Sequence, residues 1–258
     1  MSAPLKLAGF ATLLVLIFGV AVAAGDVIGP DRDASVIPEG GMGEHGAANP
    51  IRGLSIAEGG LALELRQTSP ELVFTITEDG EPVREFELEH ERRMHVIVVR
   101  RDGTGFQHVH PELGEDGAWR VPLTVTEPGV YRVFADFKHD GTAYTLASDL
   151  TVDGAARYAA FPEPTTVDTV DGYRVQLRAD GDALAFDITR DGQPIETEQY
   201  LGAGGHLVAL REGDLAFLHV HPNKGEVAFE ADLEPDTRYH LYLQFQHEGV
   251  VHTAEFTR

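Results

Sequence analysis

Short runs in which apolar and polar residues alternate, separated by turn signals, dominate the chain from about residue 54 onward. Leu61-Ala62-Leu63-Glu64-Leu65 alternates, Val73 to Thr77 is rich in β-branched residues, and Tyr131-Arg132-Val133-Phe134-Ala135-Asp136-Phe137 alternates again. A period of two marks a strand, because successive side chains leave a pleated strand on opposite faces. Asp79-Gly80, Asp102-Gly103, Asp116-Gly117, Pro128-Gly129 and Asp140-Gly141 punctuate the runs as turns. The pattern resumes at Tyr173-Arg174-Val175-Gln176-Leu177 and continues to Arg258, and no stretch between carries helical spacing. Short strands in units of roughly 90–100 residues predict an all-β fold of two tandem β-sandwich domains, immunoglobulin-like or cupredoxin-like. Residues 54–153 form the first and residues 167–258 the second, with a linker at 154–166 that contains Pro162 and Pro164.

The two halves repeat one another. Phe106-Gln107-His108-Val109-His110-Pro111 returns as Phe217-Leu218-His219-Val220-His221-Pro222, and Asp79-Gly80-Glu81-Pro82 returns as Asp191-Gly192-Gln193-Pro194. Superposing the halves places His95 on His206, His108 on His219, His110 on His221 and, after a slightly smaller shift, His139 on His247. The histidine set persists where its neighbours have drifted: Arg92-Arg93-Met94 stands against Ala203-Gly204-Gly205.

A two-residue turn at Asp102-Gly103 sets His95 opposite His110, with His108 and His110 on one strand face. Opposed residues on a common face have Cβ atoms about 4.5–5.5 Å apart, close enough for imidazoles to converge on one ion. In the second copy His206 faces His219 or His221. His139 and His247 each end an apolar stripe (Tyr131, Val133, Ala135, Phe137; Tyr239, Leu241, Leu243, Phe245), which predicts a place at the sandwich mouth. The expectation is therefore one metal site per repeat: His95, His108, His110 and His139 in the first, His206, His219, His221 and His247 in the second. The competing reading is an extracellular structural or adhesion module whose histidines brace hairpins. His90, His240 and His252 do not repeat and read as surface or packing residues.

Composition narrows the chemistry. The chain has no cysteine, so any site must use nitrogen and oxygen ligands, and a blue-copper centre is excluded. An all-imidazole set suits copper, with zinc as the alternative. A net charge of −22 repels phosphate and excludes nucleic acid as a natural partner. Leu7 to Ala24 is an almost unbroken apolar run after Lys6 that ends in small residues, so residues 1–24 read as a signal peptide or membrane anchor. Residues 25–53, rich in Gly, Pro and Asp, read as a flexible tether. Either form of the N-terminus exports the remainder, secreted or held at the membrane.

Two resemblances follow from these residues. His108-x-His110-x4-Glu115 and His219-x-His221-x4-Glu226 resemble the first half of the cupin metal motif, which implies a metal enzyme. The glycine expected before the first histidine is Asp102 in one copy and Gly213 in the other, and the second cupin motif is absent. His95 to Pro111 and the entry strands Gly80-Glu81-Pro82 and Gly192-Gln193-Pro194 resemble extracytoplasmic immunoglobulin-like modules of the YtkA and FixH type. They are similar, more loosely, to copper-handling sandwiches of the CopC type. That resemblance implies an exported accessory domain for metal handling rather than a defined reaction.

Overall fold

The structure of the protein is a computed structural model that describes residues 51–218, 220–222 and 227–258, with the backbone alone at His221 and Pro222. The N-terminal run Leu7 to Ala24, the tether through residue 50, His219 and Glu226 lie outside the described residues. Among the described residues no helix is long and apolar enough to cross a membrane.

Every regular element described is a strand. The first copy comprises β1 (Ala57–Glu58), β2 (Leu61–Gln67), β3 (Glu71–Glu78), β4 (Glu81–Pro82), β5 (His95–Arg100), β6 (Gln107–Val109), β7 (Glu112–Leu113), β8 (Trp119–Pro122), β9 (Gly129–His139) and β10 (Thr142–Val152). The second comprises β11 (Val167–Val170), β12 (Tyr173–Asp180), β13 (Ala183–Arg190), β14 (Gln193–Pro194), β15 (His206–Arg211), β16 (Phe217–Leu218), β17 (His221–Pro222), β18 (Ala228–Glu230), β19 (Tyr239–His247) and β20 (Val250–Thr257). Each copy makes two antiparallel sheets. In the first, β1-β2-β3-β8-β7, with β4 on β3, faces β10-β9-β5-β6; in the second, β11-β12-β13-β18-β17, with β14 on β13, faces β20-β19-β15-β16.

The alternation read from the sequence is the alternation that fills the cores. In the first sandwich Leu61 and Leu63 of β2 and Phe74 and Ile76 of β3 meet Val96 and Val98 of β5 and Val133, Ala135 and Phe137 of β9. In the second, Val175, Phe186 and Ile188 meet Leu207, Ala209, Leu241, Leu243 and Phe245. The fold is therefore all-β, with two tandem β-sandwiches.

A third apolar cluster lies between them. Residues Pro50–Arg258 form one compact unit, because the outer faces of the β5 and β15 sheets pack on each other. Ile97, Val99 and Phe134 from the first copy meet Val208, Leu210 and Tyr242 from the second. Every position of β5 is consequently buried, odd residues against the second domain, Val96 and Val98 in the domain's own core, and Arg100 against Asp102 and the linker. Phe106 stacks on Tyr242 at 4.1 Å between ring centroids, and Tyr242 donates its hydroxyl hydrogen to the Gly103 carbonyl. Gly103 has φ 82°, and a Cβ there would lie 2.6 Å from His240 Nδ1, so the close approach requires glycine.

The linker is docked rather than free. Ala159 N donates to Asp102 Oδ2 at 2.7 Å, Val130 N donates to the Tyr158 hydroxyl at 2.9 Å, and the Phe161 ring packs on His240. Despite burial, the Arg100 guanidinium and the Ala159 amide hold the Asp102 carboxyl well below its ordinary range.

The shared apolar face gives a direct test. Truncating Leu210, fully buried between the domains, to Ala is expected to lower stability by about 2–5 kcal/mol. Truncating Leu88, which is 70% exposed, is expected to change it by less than about 0.5 kcal/mol. Chemical unfolding of the two variants measures both values, and similar losses would contradict the buried interface.

Candidate metal centre

The β5–β6 hairpin sets the geometry. Val96 pairs with Val109 and Ile97 with His108, the register that places His95 opposite His110. The connection is wider than the two-residue turn expected, since Arg100 N donates to Thr104 O and Gly103 N to Arg100 O. Arg100 thus stands opposite Thr104, one residue out of step with the strand pairing, and an extra residue before Gln107 restores the register. Ile97 faces the second domain, so by the strand period His95 faces it too, as does His108, the partner of Ile97.

The three imidazoles converge. One nitrogen from each of His95, His108 and His110 lies within 4.8 Å of the others. Nitrogens on a common ion at about 2.0–2.1 Å stand at most about 4.2 Å apart, so small ring adjustments close the set. His95 Nε2–H donates to the Glu89 carbonyl at 3.0 Å, and His108 Nδ1–H donates to Gln244 Oε1, across the domain boundary, at 2.6 Å. These outer bonds fix the tautomers. The inner nitrogens, His95 Nδ1 and His108 Nε2, then face one another as bare lone pairs 3.1 Å apart. That is the separation of two nitrogens on one ion, about 2.9–3.4 Å between square-planar and tetrahedral angles. His110 Nε2 is buried and has no hydrogen-bond partner among the described residues, a third nitrogen suited to a ligand.

The other predicted positions divide. His206 lies against the first-copy set, with its ring 4.9 Å from His108 and 5.6 Å from His95, parallel to the latter within 6°. It stands there because the domains meet through the face that carries the histidines. His139 belongs to the odd-numbered stripe of β9 that fills the first core, the opposite sheet face from His95. Its Nδ1–H donates to the Glu85 carbonyl at 2.8 Å, and its ring packs near Phe86. His247 likewise continues the core stripe of β19 and is hydrogen-bonded to the Tyr173 hydroxyl at 2.8 Å. Strand parity thus places both on the core side of their sheets. His219 lies outside the described residues, as does the side chain of His221. Glu115, the cupin-type candidate, is an exposed residue of the Gly114–Ala118 turn and takes no part in the convergent group.

His90, which the repeat comparison passes over, lies beside the cluster. Its ring stands 5.5 Å from His206 and 6.1 Å from His95. It occupies a two-residue turn closed by mutual Glu89–Arg92 backbone bonds, in which His90 (φ 47°) and Glu91 (φ 63°) are both left-handed. The matching turn of the second copy has Leu201 and Gly202. Proximity in sequence to His95 was the available signal.

Burial and mutual repulsion hold the cluster neutral. Burial, opposed by the Glu89 carbonyl, lowers the His95 pKa; burial and the neighbouring rings push His108 and His206 well below the ordinary value. Burial, with His95 and Arg92 beside it, lowers His110 to about 4. Asp136, paired with His95 across β5–β9, is buried and its pKa is raised by that burial, although Thr145 donates to it at 2.6 Å.

The family model "Domain of unknown function (DUF8832)" matches the chain twice, over residues 58–154 and 168–258. The chain belongs to the DUF8832 family. The match carries no YtkA/FixH or CopC assignment. No curated protein matches this DUF8832 chain. Among solved structures it is similar to the FN1–FN3 domains of chicken CNTN1, at 14% identity over 80% of this chain and 68% of that one, with a TM-score of 0.22. It is also similar to a two-domain fibronectin type-III segment of chicken tenascin, at 10% identity over 76% and 95%, with a TM-score of 0.22.

The depressed pKa values predict an acid sensitivity. Folded-state values lie below the unfolded reference near 6.5, so the unfolded chain binds more protons as pH falls, and that difference favours unfolding. The metal-free protein is expected to be most stable, as far as this cluster goes, above about pH 6.5 and to lose stability steadily toward about pH 4. Replacing His110 with Gln should flatten that slope. Thermal unfolding across this range measures both, and an unchanged slope would contradict the burial of the ring.

Proposed function

We propose that this protein is an exported metal-binding accessory protein that holds a copper ion, or zinc, through His95, His108 and His110 for buffering or delivery. The observation that carries the reading is the pair of inner nitrogens, His95 Nδ1 and His108 Nε2, turned on one another at 3.1 Å while their outer nitrogens are engaged. Two lone pairs at that distance repel unless a cation lies between them. A proton is a poor candidate at neutral pH, because burial disfavours charge on both rings. Outer-nitrogen bonds to a carbonyl and a carboxamide are the support that histidine ligands ordinarily have. The nitrogen-only set favours copper among divalent ions, and the absence of cysteine leaves this kind of site as the available one. The apolar run at residues 1–24 supports export, with the protein secreted or anchored at the membrane.

A bracing role for the histidines needs a different hydrogen-bond arrangement. The Gln244 amide would turn over so that His108 Nε2–H donates to His95 Nδ1. Gln244 Nε2 instead points to Thr253 Oγ1 at 3.4 Å, which supports the carbonyl orientation toward His108.

Metal-linked stability decides between the roles. At a free-ion concentration of 100 Kd, copper or zinc should stabilise the fold by about 2.7 kcal/mol and raise Tm accordingly. The increment should vanish in His108→Ala and persist in His139→Ala, whose ring lies on the opposite sheet face. If neither ion shifts Tm while His108→Ala lowers metal-free stability, the histidines are braces.

A further inference from the structure

Resting on the metal reading above, we propose that the ion is shared between the two repeats, with His206 of the second domain completing the His95, His108 and His110 set, so that one ion clasps both sandwiches. The ring of His206 stands as close to His108, at 4.9 Å, as His110 does at 4.8 Å. Its position is set by regular structure. His206 pairs with Gln244 across β15–β19, and Gln244 is the residue that accepts the His108 Nδ1–H bond. A single rung of the second domain therefore supplies a further ring and the group that aims a first-domain ligand.

The repeat explains why this rung arrives there. His95-x-Ile97-x-Val99 on β5 and His206-x-Val208-x-Leu210 on β15 are equivalent stripes, and the apolar members of both are buried in the one interdomain cluster. Equivalent surfaces packed on each other make an isologous contact, in which repeat-related residues near the axis meet their own counterparts. His95 and His206 do so, stacked within 6°. The apolar stripes exclude water beside the rings and fix the separation of the two backbones. Asp136, paired with His95 across β5–β9 and bonded to Thr145, adds a buried carboxyl group on the same sheet face. The turns that flank the cluster also meet, since a Cβ at Gly202 would lie 3.9 Å from the Glu91 side chain.

Copper(II) titration of the full chain, purified without a polyhistidine tag, tests the sharing. Bound nitrogens are counted by pulsed electron paramagnetic resonance. The wild type should bind one high-affinity ion per chain with four imidazoles, and near-isosteric His206→Gln should lose one imidazole and at least about tenfold in affinity. An unchanged affinity and imidazole count in His206→Gln, with binding abolished in His108→Ala, would overturn the sharing and leave the three-histidine site standing. Two high-affinity ions per chain, only one of them sensitive to His206→Gln, would overturn it in favour of one site per repeat. No copper binding to the wild type would remove the metal reading and this inference together. Should His206→Gln fail to fold, the wild-type spectrum decides, because fewer than four imidazoles exclude the shared site.

Discussion

The contact between the outer faces of β5 and β15 is the constraint on which the rest of the molecule depends. A half-exposed sandwich sheet ordinarily turns polar residues to water. Here the outward positions Ile97, Val99, Val208 and Leu210 are apolar and have each other to bury against. Apolar area removed from water at both sheets supplies a non-directional attraction, and the docked linker limits the orientations in which it is realised. The histidines sit at the end of these same stripes. Their desolvation, their neutrality and their convergence are consequences of an interface made chiefly by other residues.

Duplication makes such an interface self-complementary. A stripe that is apolar in one copy is apolar in the other, so the second domain arrives already bearing a matching face. The copies are not used identically, however. The first carries His90 on a two-residue turn with two left-handed non-glycine residues, a conformation that costs about 1–3 kcal/mol per residue. The second relieves the equivalent turn with Gly202 and has Leu201 where the histidine would stand. The first copy thus carries two such residues, His90 and Glu91, where the second carries one, Leu201 at φ 54°.

Hydrogen bonding sets which imidazole nitrogens face the centre of the cluster. An imidazole free to choose its tautomer offers either nitrogen. Glu89 O and Gln244 Oε1 remove the choice for His95 and His108, and the acceptors come from different domains. A chain with an overall charge of −22 brings cations toward a cluster that is itself uncharged, so the long-range field and the local ligand set act in the same direction.

The sequence by itself determined the strand period, the all-β class and the hairpin register that sets His95 opposite His110. These follow from local rules: side chains alternate on a strand, and the hairpin at Asp102-Gly103 fixes pairing across it even though its loop is wider than two residues. It also determined that His139 and His247 lie in phase with the cores. Only the tertiary structure decided that the His206 ring stands beside the first-copy histidines, that His90 lies near them, and that Gln244 bonds His108. Those relations depend on which outer faces meet, and a periodicity of two states which residues share a face without stating what that face will touch. The run His95-Val96-Ile97-Val98-Val99 held the hint, because a strand apolar on both sides must be covered on both sides, but naming the cover required the packing of one domain on the other.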